Sequence, residues 1–271
     1  MKIQQKKLSD QDEKQLVQDY QDGVPISDLL NKYGYSTRKS IYDKIKKHYP
    51  LNYTDIIEKH KSTQKREYSI NIIDNKFKAY FIGLLLTDGY IYDDCIELDL
   101  CDEDCISFVS NILQCPYHKY ENKKDSKPIY RIAFRNQAMV NDLKRFGIVQ
   151  KKSYTIPYLT LYPEEEKYIP YLIRGIIDGD GCIYWTSKHT IGFYIGTMSN
   201  DFACWLKDTL ENKLFMDDIC ITQQSNKLWV VRTHKYSNIF KLLALVYDVP
   251  FGMQRKYNAL REMFRDYNKN D

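Results

Sequence analysis

The sequence lacks any long apolar run: nothing in its 271 residues approaches the roughly 18 consecutive apolar side chains of a membrane-spanning helix. The start, Met1 to Lys7, has no apolar signal core. Together these absences set the expectation of a soluble, intracellular protein, in a bacterial or phage-infected cytoplasm or in an organelle. Cysteine is present but not arranged. The seven residues Cys95, Cys101, Cys105, Cys115, Cys182, Cys204 and Cys220 are odd in number and form no CxxC pair. Reduced, mostly buried thiols are therefore expected, rather than disulfides or a zinc site. Five scattered histidines offer no metal-ligand spacing. No Ser/His/Asp or Cys/His arrangement recommends a protein nucleophile. The net charge of +4 is too mild to declare a nucleic-acid partner.

The distribution of charge says more. Residues 38–47 carry Arg38, Lys39, Lys44, Lys46 and Lys47 against Asp43 alone, and the basic run His60-Lys-Ser-Thr-Gln-Lys-Arg66 follows. Local basic surface suits phosphate contact, although a charge run is more often a solvated face. Residues 8–50 read as three short helices. Ser9 caps the first, whose stripe is Leu16, Val17 and Tyr20 and which stops at Asp22-Gly23. Pro25 opens the second, with Leu29, Leu30 and Tyr33 inward before Gly34. Ser36 or Thr37 caps the third, with Ile41 and Ile45 inward, and Pro50 closes it. A helix, a short turn with glycine and a basic helix form the outline of a helix-turn-helix. Residues 51–75, polar and basic, read as a tether.

From Phe77 the chain repeats itself. Ala79-Tyr-Phe-Ile-Gly-Leu-Leu-Leu-Thr-Asp-Gly89 is matched by Tyr171-Leu-Ile-Arg-Gly-Ile-Ile-Asp-Gly-Asp-Gly181. β-rich runs follow each, Tyr90–Leu100 and Tyr130–Arg135, then Cys182–Thr197 and Ile219–Thr233. Amphipathic stretches interleave: Ile106–Leu113 and Met139–Phe146, then Phe202–Leu214 and Ile239–Tyr247. Each half closes on a basic doublet, Lys151-Lys152 and Arg255-Lys256. Two copies of an αββαββα order, over residues 76–165 and 166–271, predict an α+β pseudo-twofold dimer within one chain.

Each repeated segment is a nearly all-apolar helix and must be buried, here against its own copy. Gly83 and Thr87 share a face, as do Gly175 and Gly179, so that two backbones can approach closely. Gly89 and Gly181 suit a left-handed stop. Pairing about a twofold would bring Asp88 and Asp180 together at the helix carboxyl ends, where the helix dipole already disfavours negative charge. Divalent cations would relieve that repulsion, and hard carboxylate oxygens fit Mg²⁺ better than Zn²⁺.

Phe81-Ile-Gly-Leu-Leu-Leu-Thr-Asp-Gly89 and Ile173-Arg-Gly-Ile-Ile-Asp-Gly-Asp-Gly181 resemble the two motifs of a single-chain LAGLIDADG homing endonuclease, and the likeness extends over about residues 77–266. It implies a tandem pseudo-twofold saddle with Asp88 and Asp180 as catalytic metal ligands, and with the Thr87 and Gly179 carbonyls completing the Mg²⁺ shell. Leu86 departs from the acidic residue usual at its position. The resemblance implies Mg²⁺-dependent hydrolysis that leaves a staggered double-strand break, with Lys152 and Lys256 supporting the phosphate at the cut. It also implies a monomer on a long asymmetric duplex DNA site and no membrane partner.

The resemblance further implies curved sheets lying along the major groove, and alternation then turns outward, toward DNA, Tyr90, Tyr92, Arg131, Arg135, Tyr184, Thr186 and Lys188. Glu97 and Asp99 fit poorly there, and either accept from cytosine amino groups or pair with nearby Lys or Arg. The first module resembles a resolvase- or homeodomain-like helix-turn-helix, with Arg38, Lys39, Ser40, Tyr42 and Lys44 as its implied contacts. Two further readings stand on the same scaffold, an RNA-splicing maturase and a non-cleaving DNA-binding regulator. Both would tolerate loss of the two aspartates. With neither a starting nucleophile nor a terminal His-Asn, the chain is expected to be free-standing or intron-encoded rather than an intein.

Overall fold

Three helices form where caps and stripes predict them. α1 (Asp10–Gln21) starts on Ser9, whose hydroxyl oxygen accepts the Asp12 N–H at 3.1 Å. α2 (Ile26–Tyr33) stops at Gly34, which takes φ +70°, a conformation open to glycine at no steric cost. α3 (Arg38–His48) follows Thr37 in extended backbone. Leu16, Val17, Tyr20, Leu29, Tyr33, Ile41 and Ile45 share one core with Ile56.

The computed structural model describes residues 8–22, 24, 26–57, 70–121, 127–187 and 190–267, and the chain divides into two units, Met1–Glu67 and Tyr68–Asp271. Gly23, Pro25 and the run His60–Arg66 lie outside the described residues, as does Lys188. The described ends of the expected tether are packed. Residues 53–57 are helical and Ile56 joins the first core, whereas Ile70 and Ile73 are buried in the second unit. Isolated apolar residues without a period are hard to tell from a polar linker.

The second unit realises the αββαββα order twice. The first half runs α4 (Lys76–Thr87), β1 (Gly89–Tyr92), β2 (Cys95–Leu100), α5 (Glu103–Leu113), β3 (Tyr117–Tyr120), β4 (Ile129–Arg135) and α6 (Gln137–Leu143). The second runs α7 (Ile169–Asp180), β5 (Gly181–Ser187), β6 (Thr190–Thr197), α8 (Asn200–Asn212), β7 (Cys220–Gln223), β8 (Trp229–Thr233) and α9 (Tyr236–Lys241). A π turn, Leu242–Val246, prolongs α9, and α10 (Gln254–Tyr267) follows. The antiparallel sheets have the orders β1-β2-β4-β3 and β5-β6-β8-β7. β3 lies outside the expected strand runs: as an edge strand with little burial it has no alternation to read.

Two expectations need correction. Gly89 and Gly181 are not left-handed: Gly181 has φ −82° and ψ 151°, and Gly89 enters β1 directly. Glycine is needed there because a Cβ would press on the preceding helical turn, 2.6 Å from Leu85 Cα and 2.6 Å from Ile177 Cα. All seven cysteines are free, but they are not mostly buried. Cys105 alone is fully so, and Cys101 and Cys220 are exposed, because loop and strand-end positions leave them outside the core. Among the described residues no helix is long and apolar enough to cross a membrane.

Candidate functional site

α4 and α7 meet at their glycines. A Cβ on Gly83 would lie 2.9 Å from Gly175 Cα and overlap the Leu172 carbonyl oxygen. One on Gly175 would lie 3.0 Å from Gly83 Cα and overlap the Tyr80 carbonyl oxygen. This close crossing carries both helices to a shared end. There a Cβ on Gly179 would sit 2.6 Å from Asp88 Oδ2 and would strike Thr87. Asp88, Thr87 and Gly179 are thus gathered at one point, with Asp180 the last residue of α7.

Asp88 is half-buried, while Asp180 is open to solvent at its edge. Burial, and next the like charge of Asp180, push the Asp88 carboxyl up to about 6, against the pull of Thr87, Lys256 and Lys152. The protein mass around Asp180 likewise lifts its carboxyl above the ordinary range, opposed by Lys152 and Lys256. Two carboxylates whose charge the fold disfavours make a pair of hard oxygen donors, and the Thr87 and Gly179 carbonyls, which accept from Lys152 and Lys256, precede them in the chain. That chemistry fits Mg²⁺.

The second residue of each doublet, Lys152 and Lys256, faces inward, while Lys151 is exposed. Lys152 is buried, and its Nζ donates to the Thr87 carbonyl at 3.1 Å and to that of Gly89. Lys256 Nζ donates to the carbonyls of Ile177 (2.6 Å), Asp178 (2.7 Å), Gly179 (3.2 Å) and Gly181 (2.7 Å). Each ammonium thus caps the carboxyl end of a central helix, where its charge also suits the dipole. Burial holds both lysines below the usual lysine range, although nearby aspartates oppose it. The two settings differ. Lys152 begins a 3-10 turn, Lys152–Tyr154, whereas Lys256 rides the first turn of α10.

The start of α10 is tied down by Asp178 and Arg174 of the second motif and by Asp102. Asp178, fully buried, accepts from Tyr80 Oη (2.8 Å), Tyr247 Oη (2.7 Å) and the Met253 N–H (3.2 Å). Burial pushes its carboxyl up, against those bonds and Arg174. Arg174, also fully buried, donates to the carbonyls of Val249 (2.6 Å) and Phe251, and its guanidinium lies 4.0 Å from the Phe251 ring centre. Asp102, at the start of α5, accepts both Nε and Nη2 of Arg255 (3.0 and 3.1 Å). The sequence signals for this network are Arg174 and Asp178 at i, i+4 in an otherwise apolar helix, with Asp178 at the motif position where an acid is usual.

On the first sheet, Tyr90 and Tyr92 face outward, as alternation predicts. Arg131 spends Nε and Nη2 on the two oxygens of Asp99 (2.7 and 2.6 Å), its partner across the β2–β4 register. Arg135 pairs with Asp94. Asp99 is thereby accounted for as a partner of arginine, whereas Glu97 Oε2 stands 3.5 Å from Arg131 Nη1. Asp88, Tyr90, Glu97, Asp99 and Arg131 line one open cavity of about 250 Å³. On the second sheet Thr186 is exposed, and Tyr184 bonds His234 Nε2 at 2.9 Å. Arg232 on β8 and His234 just beyond it are also exposed, and alternation along β8 could have named Arg232.

In the first unit Arg38 and Lys39 are exposed on α3. Ser40 lies 3.2 Å from the Thr37 hydroxyl, and Tyr42 meets Tyr20 edge-on. Lys44 is not free to reach outward. It binds Glu13, which also accepts from Lys47 (2.6 Å) and meets His48 (2.9 Å). Burial raises the Glu13 carboxyl, but these three partners outweigh it and hold it at about 2. Asp10, Glu13 and His48 have metal-ligating side chains within reach of one another, yet Lys44 and Lys47 already neutralise Glu13.

No family model matches the sequence, and no curated protein matches it. Solved structures do. The homing endonuclease I-WcaI bound to its DNA recognition sequence is similar over 70% of this chain and 87% of its own, with a TM-score of 0.53 at 15% identity. The LAGLIDADG meganuclease I-AabMI bound to uncleaved DNA matches over 72% and 90%, with a TM-score of 0.47 at 11% identity. The I-SmaMI LAGLIDADG homing endonuclease bound to cleaved DNA matches over 72% and 91%, with a TM-score of 0.46 at 11% identity. With its paired glycine-bearing helices and two four-stranded sheets, the second unit has the LAGLIDADG homing-endonuclease fold.

Proposed function

We propose that the chain is a sequence-specific DNA endonuclease that hydrolyses one phosphodiester in each strand of a duplex, leaving a staggered break. The observation that carries this reading is the pair Asp88 and Asp180, set at the shared end of two helices with Gly179 against Asp88 and Thr87. Mg²⁺ would be held by the two carboxylates and the Thr87 and Gly179 carbonyls, where it supplies Lewis acidity for in-line hydrolysis. The protein's own part is positional. The glycine crossing fixes the spacing of the acids, and Lys152 and Lys256 hold the helix ends while offsetting carboxylate charge. The I-WcaI structure holds its DNA recognition sequence. By analogy the outward residues of both sheets read a long asymmetric duplex site, and one chain suffices because it carries both halves.

The first unit is the accessory reader in this proposal, with Arg38, Lys39, Ser40 and Tyr42 toward DNA as a helix-turn-helix and Lys44 structural. Deleting residues 1–67 should shorten the protected duplex in a footprint. An unchanged footprint would remove this module from the proposal. The nuclease itself is tested by selecting cut duplexes from a randomised library with Mg²⁺. Enrichment of one long target is expected, and a folded protein that yields no cut DNA would overturn the reading.

A further inference from the structure

A cross-strand cluster beside Asp88 is built more tightly than a general phosphate contact requires. Arg131 on β4 stands opposite Asp99 on β2 and is gripped along its Nε–Nη2 edge by both carboxylate oxygens, at 2.7 and 2.6 Å. Its guanidinium also lies 5.3 Å from the centre of the Tyr120 ring, on edge strand β3. Glu97 Oε2 stands 3.5 Å from Nη1, near enough to attract but long for a good hydrogen bond. The side chain is nevertheless 37% exposed and lines the same cavity as Asp88 and Tyr90.

These contacts dictate what the guanidinium can still do. With Nε and one N–H of Nη2 engaged, the terminal Nη1–Nη2 end keeps its donors and has lost its freedom to rotate. A guanidinium fixed in this way pays little further entropy when it makes two parallel bonds. The partner that suits such an end in the major groove is the O6/N7 edge of guanine. Glu97 stands on the Nη1 side with an acceptor, which matches the N4 amino group of the paired cytosine. A phosphate would need neither the Asp99 clamp nor a second acid, and both acids would repel it.

We propose that Arg131, held by Asp99 and flanked by Glu97, selects a G·C pair at the innermost read position of the half-site bound by the first sheet, next to the scissile region. This deepens the DNA-cleaving reading above and rests on its DNA-binding part. The placement follows from the shared cavity: among the outward residues of β4, Arg131 opens onto the space that Asp88 borders.

The test is selection of bound, not cut, duplexes from a randomised library by the full chain, compared with Arg131→Ala, Arg131→Gln and Asp99→Asn. Wild type should enrich guanine at one position close to the centre of the site. Arg131→Ala should reduce that preference by about tenfold or more at that position alone. Arg131→Gln should move it toward adenine, and Asp99→Asn should weaken it less than Arg131→Ala does. Melting of each variant at the wild-type temperature would establish folding, which is expected for a side chain outside the core. Uniform weakening across all sequences, with the base preferences unchanged, would make Arg131 a phosphate contact and overturn the proposal. Selection of a guanine-bearing site that the protein binds without cutting would leave this inference standing and remove the nuclease reading. A wild-type chain that enriches no duplex would overturn both.

Discussion

The two halves of the second unit share one plan and differ in how each secures its central helix. α4 buries no charged residue, and Leu86 stands where α7 has Asp178. Its end is capped by Lys152 through two carbonyls. α7 buries a charged pair, Arg174 and Asp178, and is capped by Lys256 through four carbonyls. The sheets differ as well, since Arg131 and Arg135 of the first are paired with acids. Pseudo-symmetry therefore holds for what sets the two aspartates, namely Gly83 against Gly175. It fails for what braces them. The first half relies on apolar packing and the second on a polar network that ties α7 to the loop before α10.

The largest effect should come from exchanging the braces. Asp178→Leu leaves the Arg174 guanidinium and the Tyr80 and Tyr247 hydroxyls without their carboxylate, and should cost about 3–5 kcal/mol in denaturant unfolding. Leu86→Asp buries an acid among apolar neighbours and should also destabilise, so neither exchange makes the halves alike. A near-neutral Asp178→Leu would mean that the network is dispensable. Next come the crossing glycines. Gly83→Ala and Gly175→Ala should each cost about 1–3 kcal/mol or more by overpacking, and by similar amounts, because each Cβ meets the other helix's backbone. A large difference in unfolding midpoint between the two would break the symmetry claimed for the crossing.

Lys256→Met should destabilise more than Lys152→Met in denaturant unfolding, a gap on the order of 1 kcal/mol, because the three N–H donors of Lys256 are shared among four carbonyls whereas Lys152 serves two. Equal losses would remove that distinction. The smallest effect is one of pH. The Asp88 carboxyl sits at about 6 in the fold against roughly 4 in an unfolded chain. The folded state therefore binds the proton more tightly, and stability falls as pH rises from about 4 through 6. The full shift overstates the change because water screens a half-exposed group, leaving about 1 kcal/mol. Metal-free Asp88→Asn should flatten this slope and melt higher than wild type near pH 7.

Much of this architecture is legible in the sequence because its causes are local and repeated. An apolar helix bearing glycine and ending in Asp-Gly announces burial, close approach and a charged end, and it does so twice. Alternation likewise turned Tyr90 and Tyr92 outward. What escaped reading depends on contacts distant in the chain. Lys256 is basic in sequence, yet its target is a set of carbonyls 75–79 residues away. The pairing of Asp99 with Arg131 needs the β2–β4 register, and the binding of Lys44 to Glu13 needs α1 against α3. A general rule for helix ends points Gly89 and Gly181 to a left-handed stop, whereas the chain runs straight from helix into strand and the constraint is space.

The central claim is that Asp88 and Asp180 are a matched pair despite their unequal braces, each required for cutting. Its most direct test is single-turnover cleavage of a selected target with Mg²⁺ by wild type, Asp88→Asn and Asp180→Asn, with folding and DNA binding measured alongside. The expected result is loss of the double-strand break in both variants, with folding and binding retained. Either variant cutting both strands at the wild-type rate would contradict it.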